Sequence, residues 1–237
     1  RYILKSSSIL VYTDEKGGLI MLELKLKSGE VKQCEAGAYV HELLEAWNVK
    51  EAVYAVTLDG KLHDLNYRIK KSGALDYIYA DSETGKLIYE RSLNFLFIVA
   101  VRSLFPDARV RMEHALSGGQ YCEIDKEVRK IEKRVKELIA ANEVIHRRVV
   151  ATAEAQAYFD RLGMKNKANL LACRKSATSS IYTLCGYDDY FYGIMLPDTS
   201  YLTHFSIRFY APGVWLSAGN GFQNQAKLFH VFQEFET

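Results

Sequence analysis

The sequence lacks any apolar run long enough to cross a bilayer: its longest, Phe95 to Val101, falls far short of the roughly 20 residues that a spanning helix needs. It lacks charge of one dominant sign, with 31 basic against 29 acidic side chains and a net charge of +2, so no global field marks it for nucleic acid or an anionic membrane. Its four cysteines, Cys34, Cys122, Cys173 and Cys185, are far apart and form no Cys-x-x-Cys, which excludes a disulfide framework or a zinc ribbon and reads as reduced thiols. No low-complexity tract and no repeat of 20–50 residues is present. The chain begins at Arg1 without a charged-then-apolar leader, so a cytoplasmic location is expected, for a fragment or processed chain with no membrane partner.

What is present is ordinary for a folded protein: 49% hydrophobic and 25% charged residues over 237 positions, enough for two modest cores. Residues 1–18 carry an apolar stretch, Ile9 to Tyr12, and a turn-like run, Asp14 to Gly18, and read at most as an added strand. From Leu22 the pattern sharpens. Leu22, Leu24 and Leu26 alternate with Glu23, Lys25 and Lys27, then Ser28-Gly29 turns the chain and Val31 resumes it, which is the signature of a hairpin with one wet face. Val40, Leu43, Leu44 and Trp47 follow helical spacing, and two further strands are predicted, one ending at Asp59-Gly60 and one through Leu75, Tyr77 and Tyr79.

Ser82-Glu83-Thr84-Gly85 is a polar break and sets the expected boundary, with domains at 1–82 and 83–237. Beyond it, Leu93, Leu96, Phe97, Ala100, Val101 and Leu104 lie on one helical face until Pro106, and Val128, Ile131, Val135, Leu138 and Ile139 form a second stripe. Shorter helices are predicted at 153–162 and 165–172, and the aromatic, β-branched stretch from Ser180 predicts a sheet. The class is α+β.

Several chemistries are missing. No Gly-x-x-x-x-Gly-Lys-Ser/Thr loop occurs, since Gly60-Lys61 and Gly85-Lys86 are each followed by Leu. Gly118-Gly119 and Gly219-Asn220-Gly221 read as turns. No Gly-x-Ser-x-Gly elbow is present, and the six histidines, His41, His63, His114, His146, His204 and His230, form no His-x-x-x-His pair.

The stretch Lys27-Ser28-Gly29-Glu30, Ala36-Gly37, Val40, Leu43, Val56-Thr57-Leu58-Asp59-Gly60 and Leu65 resembles a TGS domain, the β-grasp module at the front of threonyl-tRNA synthetases. The chain beyond residue 82 resembles the second additional (editing) domain of threonyl- and alanyl-tRNA synthetases, whose helix carries H-S-x-x-H and whose later segment carries C-x-G-P-H, then V-P-N-T. Here Arg91-Ser92-Leu93-Asn94-Phe95 and Phe191-Tyr192-Gly193-Ile194-Met195-Leu196-Pro197 stand in those places. By this resemblance the zinc-site positions fall on Arg91, Phe95, Phe191 and Met195, none of which supplies the imidazole, thiolate or carboxylate that Zn²⁺ takes, so editing by that route is expected to be lost.

Arg111-Met112-Glu113-His114, Gly119-Gln120-Tyr121-Cys122 and Asp188-Asp189-Tyr190-Phe191-Tyr192-Gly193 are most similar to bacterial uridine kinase-like nucleoside kinases, whose N-terminal half has this layout. In them the segment like Ala226 to Phe235 leads toward the kinase. The resemblance implies a non-catalytic regulatory or ligand-binding module, with no cofactor or metal in this chain. ATP and Mg²⁺ would belong to a downstream P-loop kinase domain acting as its partner.

Arg111, His114, Tyr187, Asp188, Asp189 and Tyr190 are the candidates to line a cleft for a nucleoside or RNA, because aromatics stack on bases while carboxylates and Arg fix polar groups. The alternatives are an aminoacyl-tRNA editing hydrolase with a rearranged site around His114, Cys122, Cys185 and His204, or an RNA-binding module. The latter would use the basic side of the second long helix, Lys126, Arg129, Lys130, Lys133, Arg134 and Lys136, continued by His146-Arg147-Arg148.

Overall fold

The computed structural model describes residues 2–5, 9–12, 19–108, 110–116 and 118–219. The Asp14 to Gly18 run, Asn220-Gly221, the segment from Ala226 to Phe235 and His230 lie outside the described residues. The chain divides into two compact units, 1–88 with 194–197, and 89–193 with 198–237.

In the first unit, β1 (Tyr2–Lys5) pairs antiparallel with β2 (Ile9–Tyr12) as a small separate ribbon. The main sheet is built from β3 (Met21–Leu26), β4 (Val31–Glu35), β5 (Val53–Leu58), β6 (Lys61–His63) and β7 (Gly73–Tyr79), with helix α1 (Val40–Ala46) after the first hairpin. Its spatial order is β4-β3-β7-β5-β6, and β3 runs parallel to β7 while the other pairs are antiparallel.

The alternation in β3 does what period-two patterning requires: Leu22, Leu24 and Leu26 are buried and Glu23 and Lys25 exposed. Asp59 and Gly60 close the β5–β6 hairpin with φ of 52° and 76°, the two left-handed positions that the Asp-Gly pair favours. The Asp59 carboxylate then accepts from the Ala74 N–H at 2.9 Å and from Lys71, and a Cβ on Gly73 would come within 2.6 Å of it. Only glycine leaves room for that cap.

Helix α2 (Glu83–Leu104) belongs to the second unit from Tyr89 onward. The polar stretch that reads as a break is its first turn, where Ser82 Oγ accepts the Gly85 N–H at 3.0 Å. The periodicity predicts one apolar face, yet Ser92, Phe95 and Val99 are as fully buried as Leu96 and Phe97, while Leu104 is exposed. From Ser92 to Val101 the helix is buried almost all round, because this half is a core helix.

Then come β8 (Arg111–Leu116), β9 (Gly119–Glu123), α3 (Val128–Ala140), β10 (His146–Ala151), α4 (Thr152–Arg161), α5 (Lys165–Ala172), β11 (Thr178–Leu184), β12 (Tyr187–Tyr190), β13 (Ser206–Tyr210) and β14 (Gly213–Ser217). They make two antiparallel sheets, β10-β11-β12 and β13-β14-β9-β8. Against the first sheet, Phe159 and Ala155 of α4 and Ala168 and Leu171 of α5 pack with Ile181.

Contrary to the expectation from the charge pattern, His146-Arg147-Arg148 does not continue the basic face of α3. That helix stops where Asn142 turns left-handed at φ 52°, and the β-branched Val149-Val150 carry the chain into an edge strand.

Candidate functional site

Three of the four positions that the sequence resemblance assigns to the metal ligands of editing domains, Arg91, Phe95 and Phe191, lie within the second unit. Phe95 is completely buried and its ring meets Phe191 with centroids 5.3 Å apart, tilted at 60°. The Arg91 guanidinium lies against Gly193, whose φ is +96° and where a Cβ would come 2.8 Å from Arg91 Cζ. Burial pulls the Arg91 pKa below its ordinary value, opposed by Tyr182, Glu90 and Tyr192. Met195 is buried.

A guanidinium, two phenyl rings and a thioether do not fit Zn²⁺, whose ligands are imidazole, thiolate and carboxylate. Among the described residues no three His, Cys, Asp or Glu side chains gather in a way that could hold a metal ion.

Within the second unit a cavity of about 80 Å³ opens between α2, the β8–β9 hairpin and the end of β14. Glu90, Leu93 and Asn94 face it from α2 at the i, i+3, i+4 spacing of one helical side. Gln120 and Ser217 complete the polar lining, and Asn94 Nδ2 donates to Gln120 Oε1 at 3.2 Å. The hairpin can form this wall because Gly118 takes φ of +78° and Gly119 lies under the Trp215 indole, where a Cβ would come within 2.4 Å of the ring. No sequence motif singles out Glu90, Asn94, Gln120 or Ser217. The usable signal is Asn94, a lone amide inside an otherwise apolar stretch of helix.

The structure separates the residues expected to share a cleft. Tyr187, Asp188, Asp189 and Tyr190 lie together on β12, while Arg111 and His114 lie on β8 of the other sheet. Arg111 is paired with Glu113 at 2.7 Å. The two aspartates are turned inward. Asp188 accepts from Arg148, Tyr158 and Thr183, and this holds the edge strand β10 to β12 across β11.

Asp189, only 1% exposed, accepts from Lys167 and from the Tyr190 N–H, and lies 3.8 Å from Arg102. Burial lowers the Lys167 pKa despite the opposing pull of Asp189, the Arg102 charge adding to the lowering. Arg174 donates to the Tyr190 hydroxyl and lies over the rings of Tyr190 and Tyr192, 5.5 and 5.1 Å from their centroids.

Of the residues named for a rearranged hydrolase, Cys122, Cys185 and His204 lie on different elements. Cys122 is buried in β9, paired in register with Met112 and Val214, and burial pushes its thiol up to about 12. Cys185 is in the β11–β12 turn at φ 50°. His204 precedes β13, where the Tyr89 hydroxyl donates to its carbonyl at 2.8 Å and accepts its N–H at 2.9 Å. On α3, Lys130, Arg134 and Lys136 pair with Glu127, Glu137 and Glu132.

No protein-family model matches the chain. It is similar to threonine-tRNA ligases: 29% identical over 203 residues to that of Pelobacter propionicus, 82% of this chain and 32% of the relative. To the Burkholderia lata enzyme it is 29% identical over 205 residues, again 82% and 32%, and to a Geobacter enzyme 28% identical over 220 residues, 89% and 34%. The chain thus spans about a third of the length of the curated relatives it matches.

Proposed function

We propose that this chain is a threonyl-tRNA synthetase-like module, a TGS-type β-grasp joined to an editing-like unit, that binds tRNA without metal-dependent deacylation. The β4-β3-β7-β5-β6 order with its parallel central pair supports the β-grasp reading. The synthetase relatives support the editing-like reading of the second unit. The observation that carries the loss of hydrolysis is the Phe95–Phe191 ring contact: two apolar side chains occupy positions where metal-activated water would need donor atoms. Arg129 and Lys133, one turn apart on the exposed side of α3, offer cations for phosphates.

The narrower expectation, a regulatory module of a nucleoside kinase with ATP and Mg²⁺ in a further domain, rests on the domain order, the lost metal ligands and the local motifs at 111–114, 119–122, 188–193 and 196–197. The synthetase relatives favour the tRNA-directed alternative. Incubating the chain with serine-mischarged tRNA, with and without added zinc, separates the outcomes. Salt-sensitive retention of the tRNA with no release of serine above background is expected. Zinc-stimulated release would overturn the reading, and no retention at low salt would remove its tRNA part.

A further inference from the structure

Two carboxamides meet on the wall of the cavity between α2, the β8–β9 hairpin and the end of β14. Asn94 Nδ2 donates to Gln120 Oε1 at 3.2 Å, and neither side chain makes another hydrogen bond among the described residues. Asn94 Oδ1 is therefore left as an acceptor and Gln120 Nε2 as a donor. Turning both amides over exchanges the two roles and still leaves one donor and one acceptor open. Ser217, which is buried, lines the same space, and its hydroxyl accepts the Gly219 N–H at 3.3 Å while keeping its own proton to donate. Glu90 also lines the cavity, but its carboxylate is exposed and acts on the Arg91 charge. The open groups of Asn94 and Gln120 are uncharged.

That pairing selects among small ligands. A carboxylate offers acceptors alone and sets an oxygen against Asn94 Oδ1, and an ammonium offers donors alone and sets an N–H against Gln120 Nε2. A carboxamide offers an N–H and a C=O fixed in one plane and satisfies both at once. The cavity of about 80 Å³ is small. At roughly 10–15 Å³ per water-sized atom it holds on the order of five to eight heavy atoms, which admits a carboxamide on a short alkyl chain and is too little for a nucleoside. Leu93 and Leu216 give that chain an apolar wall.

We propose that this cavity binds a small primary carboxamide, free in solution. Its N–H donates to Asn94 Oδ1 and its carbonyl accepts from Gln120 Nε2, with the Ser217 hydroxyl as a second donor. The site goes beyond tRNA binding and uses none of the cations of α3, so the two readings fail separately.

Titration of the full chain with propionamide, followed by the amide NMR signals of α2 and the β8–β9 hairpin, tests it, with propionate and propylammonium in parallel. Saturable shifts with propionamide are expected, at a half-saturating concentration about fivefold or more below that of either ion. Gln120→Met removes the donor at nearly constant length and should weaken the amide about fivefold. Asn94→Asp, whose carboxylate claims the Gln120 Nε2 donor and leaves acceptors facing the cavity, should reverse the preference in favour of propylammonium. No saturable shift in the parent, an equal response to either ion, or an amide affinity unmoved by both substitutions would overturn the proposal. Melting temperatures report whether each variant folds, and where one does not, the comparison of the three ligands in the parent decides. Retention of tRNA without an amide response removes this ligand and leaves the functional reading, whereas an amide response without tRNA retention does the reverse.

Discussion

Gly193 and Arg91 form a pair in which one residue makes space for the other. Gly193→Ala both strains a φ of +96° and drives a methyl to within 2.8 Å of the guanidinium carbon, so a loss of about 1–3 kcal/mol is expected in urea midpoints. Adding Arg91→Ala should recover the steric part and leave the backbone part, which a double-mutant cycle reads. At Asp189, replacement by Asn strands a poorly solvated Lys167 ammonium and should cost about 3 kcal/mol, while the double change with Lys167→Met should restore most of it.

Cys122 sets a pH dependence. Its thiol is raised from 9.0 to about 12, so above the lower value the unfolded chain releases a proton that the folded chain keeps. The stability it contributes is therefore full below that range and falls as pH rises through it. Urea midpoints should drop from about pH 8 to about pH 10 in the parent and drop less in Cys122→Ala.

At the scale of elements, the three-stranded sheet depends on the helices laid against it. Phe159 is completely buried with Leu171 and Ile181, and Phe159→Ala should cost about 3–5 kcal/mol and lower the thermal midpoint without disturbing the first unit's hairpins. Helices whose apolar periodicity is complete are legible: α5 occupies Lys165–Ala172, the span predicted, and α4 is shifted by one residue at each end. Strand β10 is not legible, because a basic, almost wholly exposed edge strand carries no alternation and gains its conformation from pairing with β11. The cavity wall is hidden for a related reason. Glu90 and Asn94 look like ordinary helical residues until the β8–β9 hairpin and β14 arrive from elsewhere in the chain to face them.

At the scale of the whole molecule, the donor set at the aligned metal positions implies that stability is independent of transition metals. Prolonged dialysis against EDTA should leave the melting temperature unchanged, and added zinc should not raise it. The sequence by itself determined the α+β class, the alternation in β3, the Asp59-Gly60 hairpin and the identities of Arg91, Phe95, Phe191 and Met195, because period, turn chemistry and donor type are local properties of residues. Only the tertiary structure decided that Asp188 and Asp189 face inward onto Arg148 and Lys167, that Arg111 lies on a different sheet from them, and that an amide-lined cavity opens beside α2. Those outcomes depend on which strands pair and which side chains meet across long stretches of chain, and pairing is fixed by packing of the whole rather than by any short segment.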